Sequence, residues 1–164
     1  MHDHRLESGP DPRDLPGAFR HRVEVVVRFG DTDGMRHVNN AKYLTYCEVA
    51  RIAYWTDITG EPFAVGDLGS ESLILAEARI TYRAPAFHGE IVTVESRATR
   101  IGRSSFSLEH RLVARMPGGM PRLIAVAESV LVRYDYGAGR SVPIPDEYVE
   151  AIERFEDHRL RAAI

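Results

Sequence analysis

The chain has 164 residues, 44% of them hydrophobic and 27% charged, with a formal net charge of −3. That length suits one hydrophobic core better than two domains, and the composition excludes a disordered polymer. A slightly acidic balance removes the electrostatic case for nucleic acid, whose partners carry a basic face.

No apolar run approaches the roughly 20 residues needed to cross a bilayer, so no membrane partner is expected. The single cysteine, Cys47, forms no intrachain disulfide, which suits a reducing compartment, and the expected location is the cytoplasm. Residues 1–20 are polar, carry Pro10, Pro12, Pro16 and Gly17, and lack the apolar core of a signal peptide. They are expected to form a flexible tail, leaving residues 21–164 as a single domain.

Val23, Val25, Val27 and Phe29 alternate with Arg22, Glu24, Val26 and Arg28, the period of a half-buried strand. A helix is expected from about residue 40 to 57, with Asn39 or Asn40 as its cap. Along it Leu44, Glu48, Ile52 and Trp55 make one stripe, and Tyr43, Cys47, Ala50 and Tyr54 a neighbouring one. A helix apolar round most of its circumference needs cover on several sides. A loop over residues 58–70, marked by Gly60, Pro62, Gly66 and Gly69, is longer than a plain connector and could wall a pocket.

Four strand patterns follow. Ile74, Ala76, Ala78, Ile80 and Tyr82 define the first, and residues 90–100 the second. After a tight connection at Gly102, residues 104–115 place Phe106, Leu108, His110 and Leu112 on one face. A Pro117-Gly118-Gly119 turn leads into the last, residues 123–134. Residues 146–160, after Pro143 and Pro145, read as a short amphipathic helix. The expectation is an α+β fold: a five-stranded antiparallel sheet, meandering after the helix, wrapped around one long central helix, with a short C-terminal helix. So small a sheet leaves edges exposed, which favours pairing with a second copy.

Between the first strand and the helix lies Phe-Gly-Asp-Thr-Asp-Gly-Met-Arg-His-Val-Asn-Asn, residues 29–40. A strand-to-helix turn can aim a carboxylate and the free amides of a helix start at one point. An acid or base beside such an oxyanion-accepting end is the minimum equipment for attack on an acyl group.

This run, followed by Tyr43-Leu44 and by Tyr46-Cys47-Glu48-Val49-Ala50-Arg51, resembles hotdog-fold acyl thioesterases of the 4-hydroxybenzoyl-CoA thioesterase-like group. Tyr82-Arg83-Ala84-Pro85 with Gly89-Glu90 resembles that group's second strand and its turn. The resemblance covers roughly residues 23–136. It implies hydrolysis of an acyl-CoA or acyl-carrier-protein thioester to a free acid and a thiol, by a homodimer or homotetramer. No metal or cofactor is implied beyond the CoA of the substrate.

The resemblance puts the chemistry on Asp33, as base or nucleophile, and offers the amide of Asn40 to the thioester carbonyl. His37 is a candidate for polarising that carbonyl or holding Asp33. The His-Val-Asn-Asn ending is also similar to plant acyl-carrier-protein thioesterases, in which an Asn and a His two positions apart have roles. Here those positions hold Met35 and His37, and Met35 cannot donate an amide hydrogen bond. Arg36 stands where many relatives have Gly. Glu48 is a second candidate acid, weighed against bracing of Arg51 or the motif loop. Arg83, His88, Arg103 and Ser104, at strand ends or turns, are candidates for CoA contacts, weighed against solvated surface charge. Tyr43, Tyr46, Tyr54 and Trp55 could line a pocket or fill the core, and Cys47 reads as packing. Two alternatives stay open: a dehydratase of the same fold, using His37 with Glu48, and a non-catalytic acyl-thioester binding module.

Overall fold

The computed structural model describes residues 18–60 and 71–161. The expected tail up to residue 17 and most of the expected loop after the helix lie outside these. Phe19, expected in the tail, is instead buried and lies 4.4 Å from the guanidinium carbons of both Arg97 and Arg111.

Strand β1 (His21–Val26) runs into one turn of 3-10 helix (Phe29–Asp31) and then the long helix α1 (Asn40–Thr59). Asn39 caps α1, its side chain accepting from Ala41 N at 2.9 Å. Gly60 ends it two residues later than expected, at φ 74°, a left-handed conformation that glycine adopts without steric cost. Strands β2 (Glu71–Tyr82), β3 (Ile91–Ile101), β4 (Ser105–Arg115) and β5 (Arg122–Asp135) follow, then a two-residue strand β6 (Arg140–Ser141) and helix α2 (Asp146–Glu156). Asp157, left-handed at φ 63°, stops α2 short of the expected residue 160.

The sheet order is β1-β3-β4-β5-β2, antiparallel, with β6 paired to β5. The meander therefore covers only β3, β4 and β5. β2 was expected to pair with β3 and instead lies at the far edge against β5, with Tyr82 opposite Ala125. The connection from Arg83 to Glu90 must then cross three strand spacings, roughly 14 Å. It does so at the end of the sheet where α1 begins.

β4 alternates strictly, with Phe106, Leu108, His110, Leu112 and Ala114 buried toward α1. The core has two parts. Val27, Val38, Tyr43, Tyr46, Cys47, Ala50, Val94 and Leu112 belong to one; Tyr54, Trp55, Phe106, Leu131 and Ile152 to the other. A polar row lies between them. His21 faces Ser96 across β1 and β3, and Ser96 faces His110 across β3 and β4. His110 Nδ1 is 2.8 Å from Ser96 Oγ. Burial, then the charge of Arg51, pushes the His110 pKa down to about 3, so its imidazole stays neutral.

Of the two stripes read on α1, the Tyr43–Cys47–Ala50–Tyr54 stripe packs inward, whereas Leu44 and Glu48 face out. Cys47 is buried, and burial pushes its thiol up to about 12. α2 is fastened by Glu156, whose buried Oε1 accepts from Tyr54 Oη at 2.5 Å and from Ala98 N at 2.8 Å. Glu156→Ala leaves both buried donors unmatched and should cost at least about 2 kcal/mol in chemical denaturation, against a smaller loss for Glu156→Gln.

Candidate active site

The motif loop folds on itself before α1 starts. Thr32 and Val38 form an antiparallel bridge. Within it Asp33 N donates to His37 O at 3.1 Å, and Arg36 N donates to Asp33 O at 2.9 Å. The resulting turn is closed by Arg36 at φ 67°, a hairpin geometry that favours glycine at that position. Asp33, which opens the turn, also accepts from Met35 N at 2.9 Å through Oδ1. Among the described residues its Oδ2 has no partner.

Asp31 and Asp33 face different ways: on an extended chain residues two apart would share a face, but Asp31 ends the 3-10 turn and is buried whereas Asp33 opens into the cleft. Asp31 is buried; its Oδ2 accepts from Arg28 N at 3.0 Å and from Tyr46 Oη at 3.1 Å, and its backbone O accepts from Asn39 N at 2.8 Å. Lys42 Nζ and Arg28 lie 3.7 and 3.5 Å from its Oδ1. Burial works against ionisation, but the Arg28 amide, the Tyr46 hydroxyl and the Arg28 guanidinium outweigh it and hold the carboxyl below its ordinary pKa. Asp31 is the structural acid of the pair.

Asp33 opens into a cleft of about 440 Å³. The motif loop and the start of α1 form one side, through Asp33, Met35, His37 and Asn40. Tyr82, Arg83, Ala84 and Pro85 form the other, with Tyr43 between. In the first turn of α1, Ala41 N is taken by Asn39 Oδ1 and Lys42 N by Asn39 O. The amide of Asn40 has no partner among the described residues, and its carbonyl accepts from Tyr82 Oη at 2.8 Å. Asp33, with one carboxylate oxygen uncommitted among the described residues, and Asn40, with its helix-start amide likewise uncommitted, therefore line one cleft. His37 lines it too, with Nδ1 at 3.4 Å from Val38 O, a weak contact.

The wall opposite Asp33 is held by an ion pair. Arg122 donates to both Glu90 oxygens, at 2.5 and 2.7 Å, and to Pro85 O at 2.7 Å. Glu90 also accepts from Phe87 N, and Tyr43 Oη accepts from Ala86 N at 3.2 Å. Ala86 O in turn accepts from Val38 N at 2.7 Å, tying this wall to the entry of α1. The Arg122 hydrogen bonds, against burial, hold the Glu90 carboxyl below its ordinary pKa.

Of the residues expected from the sequence, Asp33, His37, Asn40 and Arg83 come together. Glu48 is not among those lining the cleft; its side chain is exposed, with Oε1 3.5 Å from Arg51 Nη2. His37 lines this cleft and Glu48, its partner in a dehydratase reading, does not. His88 is exposed, its ring edge-on to Phe29 at 6.1 Å. Arg103 and Ser104 sit in the β3–β4 turn, a β3 length away from the motif, roughly 30 Å at a strand's rise per residue. Tyr82 was not singled out as a site residue. Its place beside Asn40 follows from the pairing of β2 with β5, which no local pattern announces. Among the described residues no group of three His, Cys, Asp or Glu could hold a metal ion, and no helix is long and apolar enough to cross a membrane.

A sheet curled round a helix, with an acid facing the helix start, is the architecture of hotdog-fold thioester hydrolases. A family model described as the thioesterase-like superfamily matches residues 27–152, and the chain belongs to that family. It is 33% identical over 93 residues, 56% of this chain and 68% of the relative, to a 1,4-dihydroxy-2-naphthoyl-CoA hydrolase of Synechococcus elongatus. A thioesterase of Thermus thermophilus, solved as a complex with coenzyme A and Zn, aligns with TM-score 0.72 and 35% identity. That alignment covers 87% of this chain and 98% of the other. The 4-hydroxybenzoyl CoA thioesterase of a Pseudomonas species aligns with TM-score 0.68 and 21% identity, over 79% of this chain and 96% of its own, and shares the fold. The protein is thus a thioester hydrolase by family.

Asp31 and Glu90 both have folded pKa values below their unfolded ones. The unfolded chain therefore binds more protons in the acid range, and each group adds stability that is present above its unfolded pKa. That stability is lost as pH falls through the folded value. The denaturation midpoint should begin to fall below about pH 6, where the unfolded chain protonates the His110 imidazole that the fold keeps neutral, and fall more steeply below about pH 4, the ordinary carboxylate range. In Asp31→Asn and Glu90→Gln the midpoint should start lower and drop less steeply, as urea titrations across pH would read.

Proposed function

We propose that Asp33 carries the chemistry of this hydrolase, acting on an acyl-CoA or acyl-carrier-protein thioester. The observation behind this reading is the shared cleft of the free Asp33 Oδ2 and the free Asn40 amide. In the general-base form, Asp33 takes a proton from water as its oxygen attacks the carbonyl carbon. The Asn40 N–H, at the positive end of α1, stabilises the oxygen that becomes negative. Collapse of the tetrahedral species breaks the carbon–sulfur bond, and the departing thiolate takes the proton. In the nucleophilic form the carboxylate attacks directly and expels the thiolate, and water hydrolyses the resulting anhydride to the free acid and the Asp33 carboxylate, its proton going to the thiolate. His37 contributes a second polar contact on the same side of the cleft.

Neither form needs a metal or redox cofactor. Relatives acting on CoA thioesters support CoA as the thiol portion. Cytoplasmic location fits the lone buried cysteine. The working unit is a homo-oligomer, since β2 forms a 12-residue edge of the sheet. Sedimentation velocity should return the mass of at least two chains; a monomer at micromolar concentration would refute this.

Asp33→Ala and Asp33→Asn should lower kcat on the preferred acyl-CoA by roughly 100- to 10,000-fold while the unfolding transition survives. Free-thiol release from short, long and aromatic acyl-CoAs measures this and ranks the acyl groups. Near-parental turnover by Asp33→Ala would remove the assignment. Running 3-hydroxyacyl and enoyl thioesters in the same series, with product analysis, separates hydrolysis from dehydration.

A further inference from the structure

Among the described residues, more than half of the large apolar side chains that stand exposed gather at one end of the molecule, the end where α1 begins. Val26 closes β1, and Phe29 and Met35 lie in the loop that follows it. Phe87 lies in the connection from β2 to β3, and Met116 and Met120 in the turn from β4 to β5. These loops belong to neighbouring strands, since Val26 pairs with Ile91, Ile91 with Arg115, and Ala114 with Arg122. Four strands side by side span roughly 14 Å. The loops also touch one another. Phe29 meets His88 edge-on at 6.1 Å, and the Arg122 guanidinium lies 5.6 Å from the centre of the Phe87 ring. Single exposed apolar residues are ordinary on a protein surface, but a contiguous group of them marks a contact surface.

Shape and charge select the partner. Met120 is 88% exposed, Phe29 80% and Met35 75%, so these side chains stand proud of the loops that carry them. A protruding apolar tip suits a medium that closes round it, as the headgroup layer of a bilayer does. Cations flank the tips. Arg28, beside Phe29, has its side chain 77% exposed, and Arg115 and Arg122 stand at the two ends of the Met116–Met120 turn. The acids nearby are largely occupied: Asp31 and Glu90 are buried, and Glu24 meets Arg115 at 3.2 Å. The exposed charge at this end is therefore mainly basic, on a chain whose net charge is −3. Basic groups around apolar tips complement an anionic lipid surface. The Asp33 cleft opens at the same end, with Met35 on its wall.

We propose that this end of the molecule is a peripheral docking surface for an anionic lipid bilayer, with Phe29 and Met120 as its leading anchors. The expectation of no membrane partner followed from the absence of a spanning run, and a contact at the bilayer surface needs none. A substrate held in the bilayer by an apolar acyl chain would meet the cleft there. That consequence rests on the hydrolase reading above; the lipid contact itself does not.

The test is flotation of the full chain with vesicles of phosphatidylcholine alone, and of phosphatidylcholine with roughly one-third phosphatidylglycerol. The parental protein should float with the mixed vesicles, hardly at all with the neutral ones, and should leave the mixed ones at high salt. The double variant Phe29→Ser, Met120→Ser should partition onto the mixed vesicles about tenfold less, the scale of withdrawing two partly inserted apolar anchors. Val49→Ser removes an exposed apolar residue midway along α1 and should bind as the parent does. No flotation of the parental protein, equal partition by the double variant, or an equal loss in Val49→Ser overturns the proposal. A parental protein that does not float, with a double variant of lower sedimentation mass, would make the surface a contact between copies instead. Hydrolysis of butyryl-CoA in solution is measured alongside. Its absence in the parental protein would count against the hydrolase reading and leave the flotation result standing.

Discussion

The site is organised around one buried carboxylate, Asp31, that lies outside the Asp33 cleft. Asp31 holds the strand exit through Arg28 N, the body of α1 through Tyr46 and the helix cap through Asn39. Three pieces of chain that need not meet are thereby brought to one point. A buried charge is expensive unless its hydrogen-bonding capacity is met, and here amide, hydroxyl and two nearby cations meet it. With Asp31 in place the next turn has little freedom, and Asp33 emerges beside the start of α1.

The two halves of the cleft are built on different principles. The Asp33 side is local, made within a dozen residues by hydrogen bonds of the loop to itself. The Tyr82–Pro85 side comes from a strand at the far edge of the sheet. It reaches α1 only because the connection into β3 crosses back and is clamped by Glu90 and Arg122. Tyr82 then closes the gap by bonding the carbonyl of Asn40, the residue whose amide stays open. Rigid surroundings with one donor and one acceptor left unmatched are what electrostatic preorganisation requires.

Much of this was legible from residues alone. The alternation of β4, the extent of α1 and the cap at Asn39 are local properties, and local properties leave periodic traces. That Asp31 is buried and Asp33 accessible was not legible in the same way, since residues two apart on an extended chain share a face and it is the 3-10 turn ending at Asp31 that parts them. Sheet order left no such trace: β2 reads equally well beside β3 or beside β5, and only the joint packing of all strands on α1 decides. Tyr82 was missed for that reason. Glu90 and Arg122 are 32 residues apart, and their pairing depends on the same crossing. The outward turn of Leu44 and Glu48 was equally hidden, since both stripes of α1 look apolar in sequence.

The placement of Cys47 bears on how such a catalyst survives its own product. Each thioester cleavage liberates a thiol, and a disulfide of that thiol could cap an accessible protein thiolate by exchange. Exchange needs the thiolate, and Cys47 is buried on the inner face of α1 with its thiol pushed up to about 12. Burial and a raised thiol pKa therefore make Cys47 a poor partner for such exchange.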